Sequence, residues 1–93
     1  MYKLPEYLSV HVVADEKEKM ISSLDNMGPE EMKVYVDASE TSDIDAAGLQ
    51  LLLSFYLTLK KEGKEFILQN PSDTLQRMLE LSGAAYYLCE GGQ

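Results

Sequence analysis

Between residues 37 and 45, seven of nine positions carry an oxygen able to bind a metal, accept phosphate or move a proton: Asp37, Ser39, Glu40, Thr41, Ser42, Asp43 and Asp45. Asp43 and Asp45, with Glu40, could offer oxygens to Mg²⁺ or Ca²⁺. The EF-hand spacing is absent, so no metal is expected and a helix-capping role for Asp45 is the plainer reading. Asp37 lacks the acidic pair near the N-terminus that should accompany a receiver-type phosphoaspartate. Thr41 and Ser42 are hydroxyls in the same loop. Phosphate acceptance by either is set against the simpler role of capping turns and solvating the loop.

The rest of the chain offers little for catalysis. There is one histidine, His11, and one cysteine, Cys89, far apart in sequence. An enzyme needs a nucleophile, a base and a stabilising group in one place. No Gly-rich phosphate loop is present. An enzyme is therefore not expected, and no cofactor is expected. A single cysteine forms neither an internal disulfide nor a Cys-rich metal site.

The loop must be held by its neighbours. Residues 7–14 (Tyr-Leu-Ser-Val-His-Val-Val-Ala) read as a strand rich in β-branched residues, with His11 on its more polar face. Residues 15–26 read as a helix capped by Asp15, with Met20, Ile21, Leu24 and Met27 on its apolar face, ended by Gly28-Pro29. Residues 33–38 form the next strand. The main helix runs over 45–62 and closes at Gly63. Residues 64–69 are a third strand. Asn70 caps a helix with Pro71 in its first position and Leu75, Met78 and Leu79 facing inward, as could Ser82; Gly83 ends it. Residues 86–89 read as a last short strand. The order β-α-β-α-β-α-(β) is that of an α/β domain with at least a partly parallel sheet.

The stretch Asp37-Ala-Ser, a short loop, Ile44, then Asp45-Ala-Ala-Gly48-Leu49 resembles the signature of STAS domains, the family of anti-sigma-factor antagonists. The resemblance covers roughly residues 8–89 and extends to Asn70-Pro71 and Leu79-Glu80-Leu81-Ser82-Gly83. It implies a small mixed β-sheet with helices packed mainly on one side. In that family the serine after the second aspartate is the phosphorylation site; here it is Ala46, a degenerate phosphosite. Thr41 stands where the family usually has an apolar residue. The chain departs from the family pattern at both ends: the usual Gly-containing segment ahead of the first helix is lacking, and the sequence is expected to fall short of the family's final helix.

Helical spacing puts Leu49, Leu52, Phe55, Tyr56 and Leu59 on the core face of the main helix, with Gln50, Ser54 and Lys61 opposite. Ala46, Leu53 and Leu57 fall beside the polar stripe. Either a neighbouring helix covers them or they form a contact surface. The expected partner-binding set is Thr41, Ser42, Asp43, Asp45, Ala46, Ala47, Gln50, Leu53 and Leu57: an acidic rim around an apolar centre.

The 93 residues suffice for one domain over 1–93 and not two. Apolar content of 45% is that of a globular protein. A net charge of -8 argues against nucleic acid and against an anionic membrane surface. No apolar run approaches the ~20 residues that span a bilayer, and no signal-peptide core is visible, so a cytoplasmic location is expected. The resemblance implies a non-catalytic signalling module that binds a protein: an anti-sigma factor with serine-kinase activity, or a signalling complex. Homodimerisation is a further option. The alternatives are an accessory subunit or adaptor of a transporter or chemotaxis-type complex, and a small-molecule sensor, for which the chain leaves little room for a pocket of ~300 Å³.

Overall fold

A computed structural model describes residues 2–89, so residues 1 and 90–93 of the single expected domain lie outside the described residues. The elements are β1 (Tyr2–Lys3), β2 (Tyr7–Leu8), α1 (Val13–Asp25), β3 (Lys33–Asp37), β4 (Asp43–Ile44), α2 (Ala46–Lys61), β5 (Glu65–Gln69), α3 (Asp73–Ser82) and α4 (Ala85–Leu88). β1, β3 and β5 form one sheet in that order, and β2 and β4 form a second. Every described pairing is parallel, with Tyr2 opposite Val36, Tyr35 opposite Ile67 and Leu8 opposite Ile44. This is the α/β class expected.

Alternation divides the three-stranded sheet into two faces. Tyr2, Val34, Val36 and Phe66 are buried, while Lys3, Lys33, Tyr35 and Glu65 are exposed. The buried face meets α2, whose Leu52, Phe55, Tyr56 and Leu59 complete the core with Leu75 and Leu79 of α3 and Leu88 of α4. Phe66 packs edge-on against both Phe55 and Tyr56, with ring centroids 6.2 and 6.3 Å away. Leu49, placed on the core face by its spacing, is only partly buried.

Several local expectations are corrected. The β-branched run after Leu8 is not a strand. The amides of Val12 and Val13 both donate to the Ser9 carbonyl, and the chain turns into α1 two residues early. His11 is thus an exposed turn residue, not a strand residue. Asp15 lies inside α1, whose N-cap is Val12 with no side-chain bond. Ile21 is 48% exposed; the buried positions of α1 are Met20 and Glu16. Glu16 is accommodated by the Tyr2 hydroxyl, which donates to its carboxylate, and by Lys19 at 3.3 Å. Burial, together with that carboxylate, raises the Tyr2 phenol above its ordinary pKa.

Ser72, not Asn70, caps α3: its hydroxyl accepts from the Leu75 amide at 3.2 Å, and Asn70 sits at φ 51 before Pro71. Gly83 ends α3 in the left-handed conformation (φ 83). Ser82 is exposed, so it does not join the inward face of α3. Residues 85–88 are a short helix rather than a strand, with Leu88 buried. β1 went unforeseen. Its two residues extend the sheet, and the Leu4 amide continues the ladder to Asp37.

Candidate partner-binding site

The loop from Ala38 to Asp45 is fixed on three sides. At its start the Ser39 amide donates to the Asp37 carboxylate at 3.0 Å, which lowers the Asp37 pKa. In its middle, Thr41 is fully buried; its hydroxyl donates to the Pro5 carbonyl at 2.8 Å. The Ser72 hydroxyl donates to the Thr41 carbonyl at 2.6 Å, tying the loop to the cap of α3. At its end β4 pairs with β2, and Ile44 is buried. Thr41 therefore occupies an interior place, as the apolar residue of the resemblance would, with its hydroxyl satisfied by backbone. It presents no side chain to a partner, which corrects its inclusion in the contact set.

Asp45 caps α2 as expected and does more. One carboxylate oxygen accepts from the Gly48 amide and the other from the Val10 amide, each at 2.9 Å. The Asp45 amide donates to the Leu8 carbonyl at 3.2 Å. The two carboxylate bonds, Gly48 first, hold the Asp45 carboxyl below its usual range, and His11 adds a smaller attraction. Asp45 thus joins the start of α2 to the segment after β2.

Gly48 marks the closest approach in the same joint. A Cβ there would lie 2.1 Å from the Leu8 carbonyl oxygen. Only glycine lets the first turn of α2 press against β2 at this distance.

The carboxylates do not converge on a common point. Asp43 accepts from the Ile44 amide at 2.9 Å, Asp45 is engaged as above, and Glu40 forms an ion pair with Lys3. Among the described residues, no group of three or more His, Cys, Asp or Glu is placed to hold a metal ion.

What this frame presents outward is a mixed surface. Ser42, Asp43, Asp45, Ala46 and Gln50 are exposed, and Ala47 is half-buried. The two leucines separate: Leu57 is 60% exposed, whereas Leu53 is partly buried against the core. A shallow groove of about 310 Å³ adjoins Ala47, between α1 and α2. Val13, Ala14 and Lys17 form its α1 wall, facing Ala47, Gln50 and Leu51. A strand over 7–14, as the sequence suggests, would not place these α1 residues on one wall. Had α1 been begun at Val13, positions 13, 14 and 17 would fall together on one side. A second shallow groove, of about 520 Å³, runs at the surface beside Tyr2, Met27, Met32 and Tyr35. Among the described residues, no helix is long and apolar enough to cross a membrane.

The family described as Mlab, STAS domain matches this chain over residues 8–89. The crystal structure of a sulfate transporter family protein from Wolinella succinogenes superposes with a TM-score of 0.76. That alignment covers 94% of this chain and 68% of the other, at 22% sequence identity, and shows a common fold. Among curated proteins, nothing matches this chain.

Proposed function

The chain belongs to the STAS domain family, and from that premise we propose that it is a non-catalytic protein-binding module that docks through the start of α2. The contact comprises Ser42, Asp43, Asp45, Ala46, Ala47, Gln50 and Leu57, widened by Val13, Ala14 and Lys17 across the groove. One observation carries the reading. Ala46 is exposed at the head of α2, on a joint otherwise built in full by Asp45, Gly48 and Ile44. In this reading the joint serves as the docking platform, with Ala46 supplying no hydroxyl to phosphorylate. The module resembles an anti-sigma-factor antagonist held permanently in its unphosphorylated, binding-competent form.

The surface chemistry restricts the partner. Asp43 and Asp45 rim an apolar centre, so a basic or mixed surface complements it. An anti-sigma factor with serine-kinase activity or a signalling complex would meet this requirement. A second reading, an accessory subunit of a transporter, is favoured by the likeness to a sulfate transporter family protein. Both readings place the same residues at the contact.

Incubation with a candidate kinase and ATP, followed by intact mass measurement, tests the lost switch. No mass gain is expected, and Ala46→Ser is expected to restore one phosphate. A stoichiometric phosphate on Ser42 in the unaltered protein would overturn the reading. Pull-down with candidate anti-sigma and transporter subunits separates the two partners. Ala46→Asp should weaken capture by whichever one binds, because it adds charge at the contact.

A further inference from the structure

β5 ends its sheet, and only one of its edges is paired among the described residues. The Glu65 amide donates to the Met32 carbonyl, and the Ala38 amide donates to the Gln69 carbonyl. Glu65, Ile67 and Gln69 therefore turn their backbone groups toward β3. By alternation, Phe66 and Leu68 turn their N–H and C=O groups outward. No described residue hydrogen-bonds those four groups.

Edge strands are normally guarded by proline, a central charge or a bulge. β5 has none of these. Its centre is Phe66-Ile67-Leu68, its one charged residue is Glu65 at its start, and its register with β3 is unbroken over all five positions. Ile67 and the 38%-exposed Tyr35 lie side by side on the outer face of the sheet.

We infer that β5 is a self-association edge, pairing antiparallel with β5 of a second copy of this chain about a two-fold axis at Ile67. The strand is self-complementary in that alignment. Phe66 stands opposite Leu68 of the partner subunit, and both residues carry the outward backbone groups, so the two symmetry-related pairs form four N–H···O=C bonds. Ile67 meets Ile67 of the partner subunit as the close, non-hydrogen-bonded pair. Glu65 meets Gln69 of the partner subunit, so no like charges oppose one another. A parallel alignment would set Glu65 beside its own copy. A two-fold contact also closes on itself, whereas a head-to-tail one would propagate. The sheet would become six-stranded, its outer face carrying Tyr35 and Ile67 from both copies. This edge is separate from the α2 surface, so a dimer leaves the proposed docking site open.

The test uses sedimentation over a range of protein concentration, at two ionic strengths. The protein is expected to dimerise, and more strongly at higher salt, because each copy carries a net charge of -8. Ile67→Lys and Ile67→Glu should each be monomeric with unchanged circular dichroism, since Ile67 is not part of the core cluster. Mixing the two variants should restore a heterodimer through the opposed charges at the axis. Hydrogen exchange on the unaltered protein gives a second readout, independent of any variant: the Phe66 and Leu68 amides should gain protection as concentration rises. A monomer at every concentration would overturn the inference. So would a dimer that survives both Ile67 variants, or one in which those two amides exchange as fast as in the monomer. A dimer disrupted by Leu57→Glu instead would place the contact on α2.

Discussion

Gly48→Ala opposes two terms of known sign at one position. Alanine is the better helix former by ~1 kcal/mol, so propensity alone predicts a more stable α2. Against this, the new Cβ would meet the Leu8 carbonyl oxygen at 2.1 Å and the Ile44 Cγ1 at 2.9 Å. Relief requires the first turn of α2 to retreat from β2 by about 1 Å, because the nearest obstacle is backbone and cannot rotate away. That retreat stretches the bonds from the Asp45 amide to Leu8 and from the Val10 amide to Asp45. Overpacking against a fixed neighbour costs ~1–3 kcal/mol, at the upper end here because those two bonds strain with it. The net expectation is a loss of about 1–2 kcal/mol, or a fall in Tm of about 4–16 °C for a domain of this size. Urea and thermal unfolding of Gly48→Ala measure it. Ser54→Ala on the exposed side of α2 is the control, with a gain of about 0.5 kcal/mol from propensity alone. If Gly48→Ala is as stable as the parent protein or more so, the close approach to Leu8 does not fix this glycine.

Three further outcomes are expected. Asp45 and Asp37 both have folded pKa values below the ordinary ~3.9, so each stabilises the fold fully above that pH, and the contribution fades as pH falls through the lower folded value. Urea midpoints at neutral pH and near pH 3 should accordingly differ less in Asp45→Asn than in the parent; an equal difference would mean that the carboxylate bonds are not formed. Tyr2→Phe should destabilise by ~1–3 kcal/mol, because it leaves the buried Glu16 short of its donor, and Tyr2→Phe with Glu16→Met should recover most of the loss. Equal urea midpoints for Tyr2→Phe and the parent would show that the contact contributes nothing. Leu57→Glu should leave Tm almost unchanged while abolishing partner capture, Leu53→Glu should lower it, and Leu52→Glu should unfold the domain. Were Leu57→Glu to unfold as readily as Leu52→Glu, α2 would have no free apolar surface there.

The parts of the site legible in the sequence are those set by local chemistry. Asp45 followed by small residues and a leucine-rich run marks the cap of α2 and its start to within a residue, and Gly63 and Gly83 mark the ends of α2 and α3. What failed depends on contacts distant in sequence. Val10, Val12 and Val13 have strand propensity, but the Asp45 carboxylate draws the Val10 amide and the turn on Ser9 wins. By sequence Thr41 is a loop hydroxyl; the Pro5 carbonyl 36 positions away makes it an interior residue. Asn70 and Ser72 are both good caps, and Ser72 prevails because its hydroxyl also reaches the Thr41 carbonyl. Leu53 and Leu57 lie ~40° apart around α2, Leu53 nearer the core arc and Leu57 nearer the polar stripe, and core neighbours cover only Leu53. β1 is too short to carry a periodic signal, and only its ladder with β3 defines it.

The all-parallel pairing sets how this chain reaches its native state. Tyr2 finds Val36, Tyr7 finds Asp43 and Lys33 finds Glu65, so each ladder joins residues more than thirty positions apart. A hairpin can zip from its turn within microseconds, and no described strand has that route. Each ladder instead waits for a long loop to close, with its chain entropy lost before the contacts repay it. β3 is central, so the sheet stays incomplete during synthesis until Gln69 has left the ribosome. Until then β3 has, among the described strands of its sheet, β1 alone to pair with, and refolding is expected in milliseconds or slower rather than microseconds.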